Sequence, residues 1–230
     1  MKEFIEKLDH LCSVKEYSSY GGFPVLRDSH CAFRRVFNVE SETSSDVVIK
    51  LPLLKHHKID PRQIFYEIED EIKRKYYAPT CYDLGFDKII QELLEVQNSS
   101  TIIQPLYLSM PHNPNQDFYE DCGYLSTIMF NGKDTLAFNL SQIDVDIYSA
   151  LPYNLMYCTL FAGILANMVG RRLSAFTVDF LNPYIRKEDL PRIAKVLEEE
   201  FEFDTCVIKF NKKVNDLDDL KWEDFLIEIY

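Results

Sequence analysis

Three polar residues at alternate positions, Gln142, Asp144 and Asp146, form the first group in the sequence that could do chemistry. Residues two apart on a strand share one face, so the two carboxylates would lie on the same side. Such a pair could bind a divalent cation through its oxygen atoms. No third acidic ligand is apparent nearby, and two carboxylates at a strand end are more often solvated. We therefore predict no metal site.

The cysteines are the candidate nucleophiles. There are six, with no CxxC pair and no zinc spacing to the five histidines: Cys12, Cys31, Cys81, Cys122, Cys158 and Cys206. A nucleophilic cysteine needs cationic neighbours or a helix N-terminus to favour the thiolate, whereas Cys122 follows Glu120 and Asp121. This setting favours an unreactive loop thiol. Scattered cysteines without a secretory signal also indicate reduced thiols and a cytoplasmic protein.

Hydrophobic spacing and capping signals predict the elements that must position these residues. Helices are predicted over 1–11, 61–76, 86–96, 154–169 and 188–201. Strands are predicted over 47–54, 101–110, 124–130, 135–145, 175–180 and 206–210. The Asn131-Gly132 pair predicts a hairpin between two of these strands. Helices and strands alternate without a regular βαβ repeat, which predicts an α+β fold in one domain over 1–230.

The segment 147–170 carries no charged residue and is long enough to cross a bilayer. Pro152, Asn154 and Asn167 interrupt it, and no basic cluster flanks it. We therefore predict a helix buried in the core and no membrane contact. Gly170 stands where a left-handed helix cap is expected.

Composition limits the classes of partner. With 230 residues, 47% of them hydrophobic, the chain can bury one sizeable core. Its net charge of −12 repels a phosphate backbone, so general nucleic-acid binding is not expected. A single anionic nucleotide in a local basic pocket is compatible with this charge.

Four segments, in order and with matching spacing, resemble the thymidylate synthase and deoxycytidylate hydroxymethylase family. Leu51-Pro52-Leu53-Leu54 with Lys58, Arg62 and Glu67 is similar to the family's "FPLLTTKK…R…E". Residues 136–146 lie over "LSCQLYQRSxD" without a gap, and 151–154 resemble "LPFN" before a long apolar helix. Residues 223–230 are similar to "EDFxIEGY".

The resemblance implies a large mixed β-sheet with packed helices, and a homodimer formed by sheets stacked back to back. The strand at 135–145 adds a reason for the dimer, because we expect it to carry apolar or β-branched residues on both faces. The implied ligand is a pyrimidine nucleoside or nucleotide. The implied cofactor is a reduced folate, although the family's tail beyond the final tyrosine has no counterpart after Tyr230.

The family reaction needs a thiolate that adds to C6 of a pyrimidine, a carboxylate that relays protons and an amide that reads the base edge. By matching position, Glu67 is the catalytic glutamate, and Cys122 lies one residue from the position of the nucleophilic cysteine. The alternative for Glu67 is a solvated helix face.

The substrate-binding residues are implied in the same way. Asn154 takes the place of the base-reading asparagine, Gln142 and Asp146 that of a polar active-site pair, and Tyr184 loosely that of a sugar-binding tyrosine. Family members acting on uracil carry asparagine at the Asn154 position, and the cytosine hydroxymethylases carry aspartate. The alternative for Asn154 is a helix cap after proline.

Departures from the family pattern concern the phosphate clamp above all. No arginine occurs between Arg74 and Arg171, and Ile143 stands where the family has arginine after glutamine. An isoleucine cannot replace a bidentate guanidinium contact. The remaining front-loop contact could come from one of three arginines: Arg27, Arg34 or Arg35. The histidine of the family's sugar motif is also absent.

Two hypotheses follow. The first is a divergent family member that binds a pyrimidine nucleoside or nucleotide and, if active, transfers a methyl or hydroxymethyl group to C5 of a non-standard substrate. The second is a non-catalytic member with a binding, assembly or regulatory role. Glu67 and Asn154 favour the first, whereas the missing arginines and the neighbours of Cys122 favour the second.

Overall fold

The computed structural model describes residues 2–13, 17–20, 23–27, 32–77, 106–109, 123–130, 134–143, 145–199, 202–216 and 220–230. The helices are α1 (Lys2–Ser13), α2 (Pro61–Tyr77), α3 (Leu151–Met168) and α4 (Leu190–Glu198). The first six strands are β1 (Tyr17–Tyr20), β2 (Phe23–Arg27), β3 (Ala32–Asn38), β4 (Asp46–Leu51), β5 (Leu106–Ser109) and β6 (Gly123–Phe130). The others are β7 (Thr135–Ile143), β8 (Arg172–Leu181), β9 (Tyr184–Arg186), β10 (Asp204–Phe210) and β11 (Phe225–Ile229).

Most of the predicted elements are present, with shifted ends. Strand β4 stops at Leu51 because Leu53 has a φ of 61°, which turns the chain. The last predicted helix is shorter than expected, since a 3-10 turn over Lys187–Asp189 precedes α4. Gly170 has a φ of 68°, which confirms the left-handed cap. The predicted helix at 86–96 lies outside the described residues.

A five-stranded sheet in the order β3-β8-β7-β6-β5 forms the main layer. All of its pairs are antiparallel except β7 with β8, which are parallel and joined by α3. The described residues also form two three-stranded sheets, β11-β10-β4 and β1-β2-β9. Mixed sheets with packed helices confirm the predicted α+β class.

Helix α3 is the centre of the core, and all of its residues are buried. It contacts α2, β4, β8 and β10, so apolar neighbours surround it. Phe138 on β7 packs against Phe161 on α3 and Phe176 on β8, with ring centroids 6.5 and 5.6 Å apart. The uncharged segment is thus a core helix, as predicted. No helix in the described part of the chain has the length and apolarity that a membrane span needs.

The two faces of the five-stranded sheet differ. Leu136, Phe138 and Leu140 of β7 are all buried on the inner face. The residues between them are small or polar and half-buried: Thr135, Ala137, Asn139 and Ser141. The outer face thus carries the β-branched Thr135 and the apolar Ala137, as expected for a strand with apolar or β-branched residues on both faces, while the large buried side chains of Leu136, Phe138 and Leu140 lie on the inner face.

Candidate functional site

Glu67 lies where α2 meets α3. Helix α2 starts as the Asp60-Pro61 signal predicts, with the Asp60 carboxylate accepting the Arg62 N–H at 2.9 Å. One turn before Glu67, the Gln63 amide donates a hydrogen bond to the Glu67 Oε1 atom at 3.0 Å. The Tyr153 hydroxyl on α3 donates to the other carboxylate oxygen. Glu67 is therefore half-buried and oriented, rather than part of a solvated helix face.

Asn154 is buried in the first turn of α3. Its N–H donates to the carbonyl oxygen of Ala150 at 3.1 Å, and Ala150 is the residue at the N-cap position. The alternative interpretation of Asn154 as the helix cap is therefore wrong, because its backbone already belongs to the helix. Its neighbour Tyr153 contacts Glu67, so the helix start brings two of the residues implied by the resemblance to the same region.

Gln142 and Asp146 flank the end of β7, and both are buried. The strand ends at Ile143, and Asp146 instead forms a parallel bridge with Tyr184. The expected strand to 145 was too long, so the strict alternation does not extend to Asp146.

The Asp146 carboxylate organises the chain between β7 and α3. Its Oδ1 atom accepts the N–H groups of Tyr148 and Ser149, each at 3.0 Å. Its Oδ2 atom lies 3.4 Å from the Nε atom of Arg186 in an ion pair. Burial raises the pKa of Asp146 to about 6, although the two N–H groups and Arg186 act in the opposite direction. Amide donors and a guanidinium surround this carboxylate, which is an environment for an anion rather than for a metal ligand.

Tyr184 joins Asp146 through the backbone. Its N–H donates to the Val145 carbonyl oxygen at 2.9 Å, and its own carbonyl oxygen accepts the Ile147 N–H at 3.0 Å. The Arg27 guanidinium lies 5.6 Å from the centre of the Tyr184 ring. Strand β9 thus places Tyr184 and Arg27 beside the turn that holds Asp146.

The three front arginines are separated by the fold. Arg34 forms a bidentate ion pair with Asp179, with distances of 2.5 and 2.9 Å. Arg35 lies 5.9 Å from the Phe203 ring centre. Among the three, Arg27 contacts the predicted site residue Tyr184. Sequence spacing could not make this distinction, because all three arginines precede the first predicted strand.

Cys122 lies outside the described residues. Of the described cysteines, Cys158 and Cys206 are buried, and Cys12 is partly buried. Burial raises the pKa of Cys206 to about 12 and, together with Asp9, raises the pKa of Cys12. These surroundings disfavour a thiolate at Cys12 and Cys206.

Residues that the sequence did not point to complete the surroundings of the site. Tyr153 orients Glu67 from 86 positions away, and Arg186 pairs with Asp146. No local sequence pattern predicts either of these two contacts. The segments that resemble the family pointed to Glu67 and Asp146, but only the fold shows that Tyr153 and Arg186 contact them.

The raised pKa of Asp146 makes stability depend on pH. In the unfolded state Asp146 has its ordinary pKa of 3.8, whereas burial raises its pKa in the folded state to about 6. Unfolding therefore releases a proton in this window, and this contribution to stability falls as pH rises from 4 to 6. We expect Asp146→Asn to gain roughly 3 kcal/mol relative to the parent protein across that window. Urea unfolding from pH 4 to 7 measures the difference, and a difference independent of pH would contradict the expectation.

Comparison with known proteins identifies the family. Residues 73–230 match the family described as "Thymidylate synthase". A search of curated proteins finds no match. The matched residues include Cys122, Gln142, Asp146, Asn154 and Tyr184, whereas Glu67 precedes them. The chain belongs to the thymidylate synthase family.

Proposed function

We propose that this protein binds a pyrimidine nucleoside or nucleotide beside Glu67 and Asn154. The observation that supports the proposal most is the orientation of Glu67 by Gln63 and Tyr153 next to the first turn of α3. A carboxylate held at both oxygens is suited to accept and return protons at a fixed place. Asn154 follows Tyr153 directly on that helix, so the proposed base reader stands one residue from the tyrosine that orients Glu67.

The base preference follows from Asn154. A carboxamide has both a donor and an acceptor, and its neighbours normally fix one orientation. A mismatched base edge then leaves buried polar groups unpaired, which costs about 1–3 kcal/mol. We propose that uracil is preferred over cytosine, in line with the asparagine of family members that act on uracil. In line with the resemblance, we propose that Gln142 and Asp146 contribute to the polar wall of this site and that Tyr184, with Arg27 beside it, contacts the sugar.

The phosphate contributes less to this binding than it does in the family pattern. Ile143 offers no donor where the pattern has arginine, and Arg34 is held by Asp179. Arg27 lies beside Tyr184, and we propose that it meets an anionic substituent of the ligand. A nucleoside therefore retains most of the binding energy of the corresponding nucleotide.

Asn154→Asp tests the proposed site. The substitution should weaken uridine binding by several-fold more than cytidine binding, because it replaces the fixed amide donor with an acceptor. Isothermal titration calorimetry with both nucleosides provides the measurement. The exposed Asn215→Asp makes the same chemical change elsewhere and should leave both affinities unaltered. Equal weakening of uridine and cytidine binding, or a parent protein that prefers cytidine, would contradict the proposed role of Asn154.

A non-catalytic role is the second candidate. It is favoured by the replaced arginine positions and by the acidic neighbours of Cys122, which oppose thiolate formation. If the protein is active, the reaction is methyl or hydroxymethyl transfer from a reduced folate to C5 of a substrate other than free dUMP. We place either activity in the cytoplasm, because the cysteines are scattered along the sequence without a CxxC pair, a pattern typical of reduced proteins.

Turnover of dUMP separates the two candidates. We expect no detectable dTMP from dUMP and methylenetetrahydrofolate, because both the phosphate clamp and thiolate activation are compromised. Product formation measured by chromatography decides the matter. Turnover that Cys122→Ser abolishes would show that the acidic neighbours do not silence this thiol.

We further propose a homodimer through the outer face of the five-stranded sheet. Family members are typically dimeric. On this face Val36 is 48% exposed and Leu181 is 39% exposed, while Ala137 and Ala175 pair in register and present little bulk. A flat face of small residues with exposed apolar side chains on β3 and β8 is suited to stacking against a second copy.

Substitution of Val36 tests the dimer face. Val36→Glu should raise the dissociation constant by at least ten-fold, since it places a charge in an interface without a partner. Leu226→Glu changes an equally exposed apolar residue, at 47%, on the distant strand β11 and should not alter it. Sedimentation equilibrium gives both constants. A parent protein that is monomeric at micromolar concentration would overturn the dimer itself.

A further inference from the structure

A rigid turn between β4 and α2 presents two imidazoles to a cavity of about 670 Å³. The turn begins at Leu53 and ends at Lys58, whose φ angles of 61° and 51° both lie in the left-handed region. Three backbone hydrogen bonds close it, from His57 to Leu53, from Lys58 to Lys55 and from Ile59 to Leu54. His56 and His57 therefore stand at fixed positions on the cavity wall.

An aromatic cluster forms one wall of this cavity. The Tyr148 hydroxyl and the Nε2 atom of His56 share a hydrogen bond of 2.7 Å. The Tyr148 ring lies 5.7 Å from the His56 ring and 4.8 Å from the His57 ring, centre to centre. Burial raises the pKa of Tyr148 to about 12 and lowers the pKa of His57 to about 4. At neutral pH Tyr148 and His57 are therefore uncharged.

Cationic side chains surround this wall. The described lining residues include four lysines and arginines: Lys58, Arg186, Arg192 and Lys195. They also include two carboxylates, Glu188 and Asp189. The difference, four minus two, is +2 for the lining itself, and the Asp146 carboxylate that pairs with Arg186 lowers it to +1, in a protein whose net charge is −12. The cavity is thus locally cationic in a chain that repels anions elsewhere.

Both carboxylates already have partners. Glu188 lies 3.6 Å from Arg186, and Asp189 lies 3.1 Å from Arg192. The Ser149 hydroxyl donates a further hydrogen bond to Asp189 at 2.9 Å. These contacts leave the surplus positive charge of the cavity with no carboxylate partner among its described lining residues. Arg192 is 73% exposed, so its guanidinium remains open to a ligand.

We propose that this cavity binds a small molecule carrying a phosphate monoester beside a flat ring. The negative charge of the phosphate matches the locally positive lining, and guanidinium groups bind its oxygens through charge-assisted hydrogen bonds. The ring packs against the uncharged wall of His57 and Tyr148. A volume of about 670 Å³ falls in the range of small-molecule sites.

This site is distinct from the proposed pyrimidine site. Neither Glu67 nor Asn154 lines the cavity. The two regions are connected by Arg186, which lines the cavity and pairs with Asp146. A ligand in the cavity therefore lies beside Arg186, the ion-pair partner of the Asp146 carboxylate that holds the turn before α3.

Phenyl phosphate is the probe for this proposal, because it combines a phosphate monoester with a flat ring. Calorimetry in low-salt chloride buffer should show saturable binding of phenyl phosphate, with inorganic phosphate and benzoate each bound at least five-fold more weakly. Absence of saturable binding would overturn the site. Equal affinity for benzoate would overturn the assignment of phosphate and point to a carboxylate ligand instead.

Variants locate the binding. Lys195→Gln removes an exposed charge and should weaken phenyl phosphate binding about three- to ten-fold, and Arg192→Gln should weaken it more. Because Arg192→Gln also deprives buried Asp189 of its partner, thermal unfolding of that variant verifies that it folds. Lys213→Gln makes the same charge change outside the cavity and should leave the affinity unchanged. Unchanged affinity in both Lys195→Gln and Arg192→Gln would place the probe elsewhere and refute the proposal.

Discussion

The complete burial of α3 is the constraint on which the rest of this structure depends. A helix that is apolar on every side must be covered on every side, since any exposed face would cost about 25 cal/mol for each Å² of apolar surface. The five-stranded sheet covers one side, and α2 with β4 and β10 covers others. Parallel β7 and β8 follow from the same demand, because α3 must connect them across the sheet.

Burying a helix creates a problem at each of its ends, where backbone groups lack partners. Before α3, the Asp146 carbonyl oxygen accepts the N–H groups of Ala150 and Leu151, and the Asp146 carboxylate accepts two more. Near its other end, the buried Asn167 amide accepts the Val214 N–H at 2.7 Å and donates to the Ser44 carbonyl oxygen at 3.1 Å. Asp146 therefore stabilises the start of α3 by accepting these N–H groups, whether or not a ligand binds.

Site and scaffold consequently share residues. Tyr153 is part of the first turn of the buried helix and also orients Glu67. Arg186 balances buried Asp146 and also forms part of the cationic cavity. The arginine positions differ from the family pattern: Ile143 on β7 carries no guanidinium, whereas Arg186 and Arg192 line one cavity.

The sequence by itself determined the local features and the family. The α2 start at Asp60-Pro61, the apolar run of α3, the Gly170 cap and the β6–β7 hairpin pair follow from spacing and caps within a few residues. The blocks around Gln142 and Asn154 indicated the thymidylate synthase family. Strands β1, β2, β3, β9 and β11 escaped prediction, because their short segments acquire strand structure only through pairing with distant partners.

Only the tertiary structure decided which residues meet. It brought Tyr153 to Glu67, placed Arg27 rather than Arg34 at Tyr184, and moved Asn154 inside the helix instead of at its cap. It also assembled the histidines after β4 with the arginines around α4. The physical reason is that spacing along the chain reports on contacts within one or two turns. Contacts between residues far apart in sequence depend on how the sheets and helices pack around the buried α3.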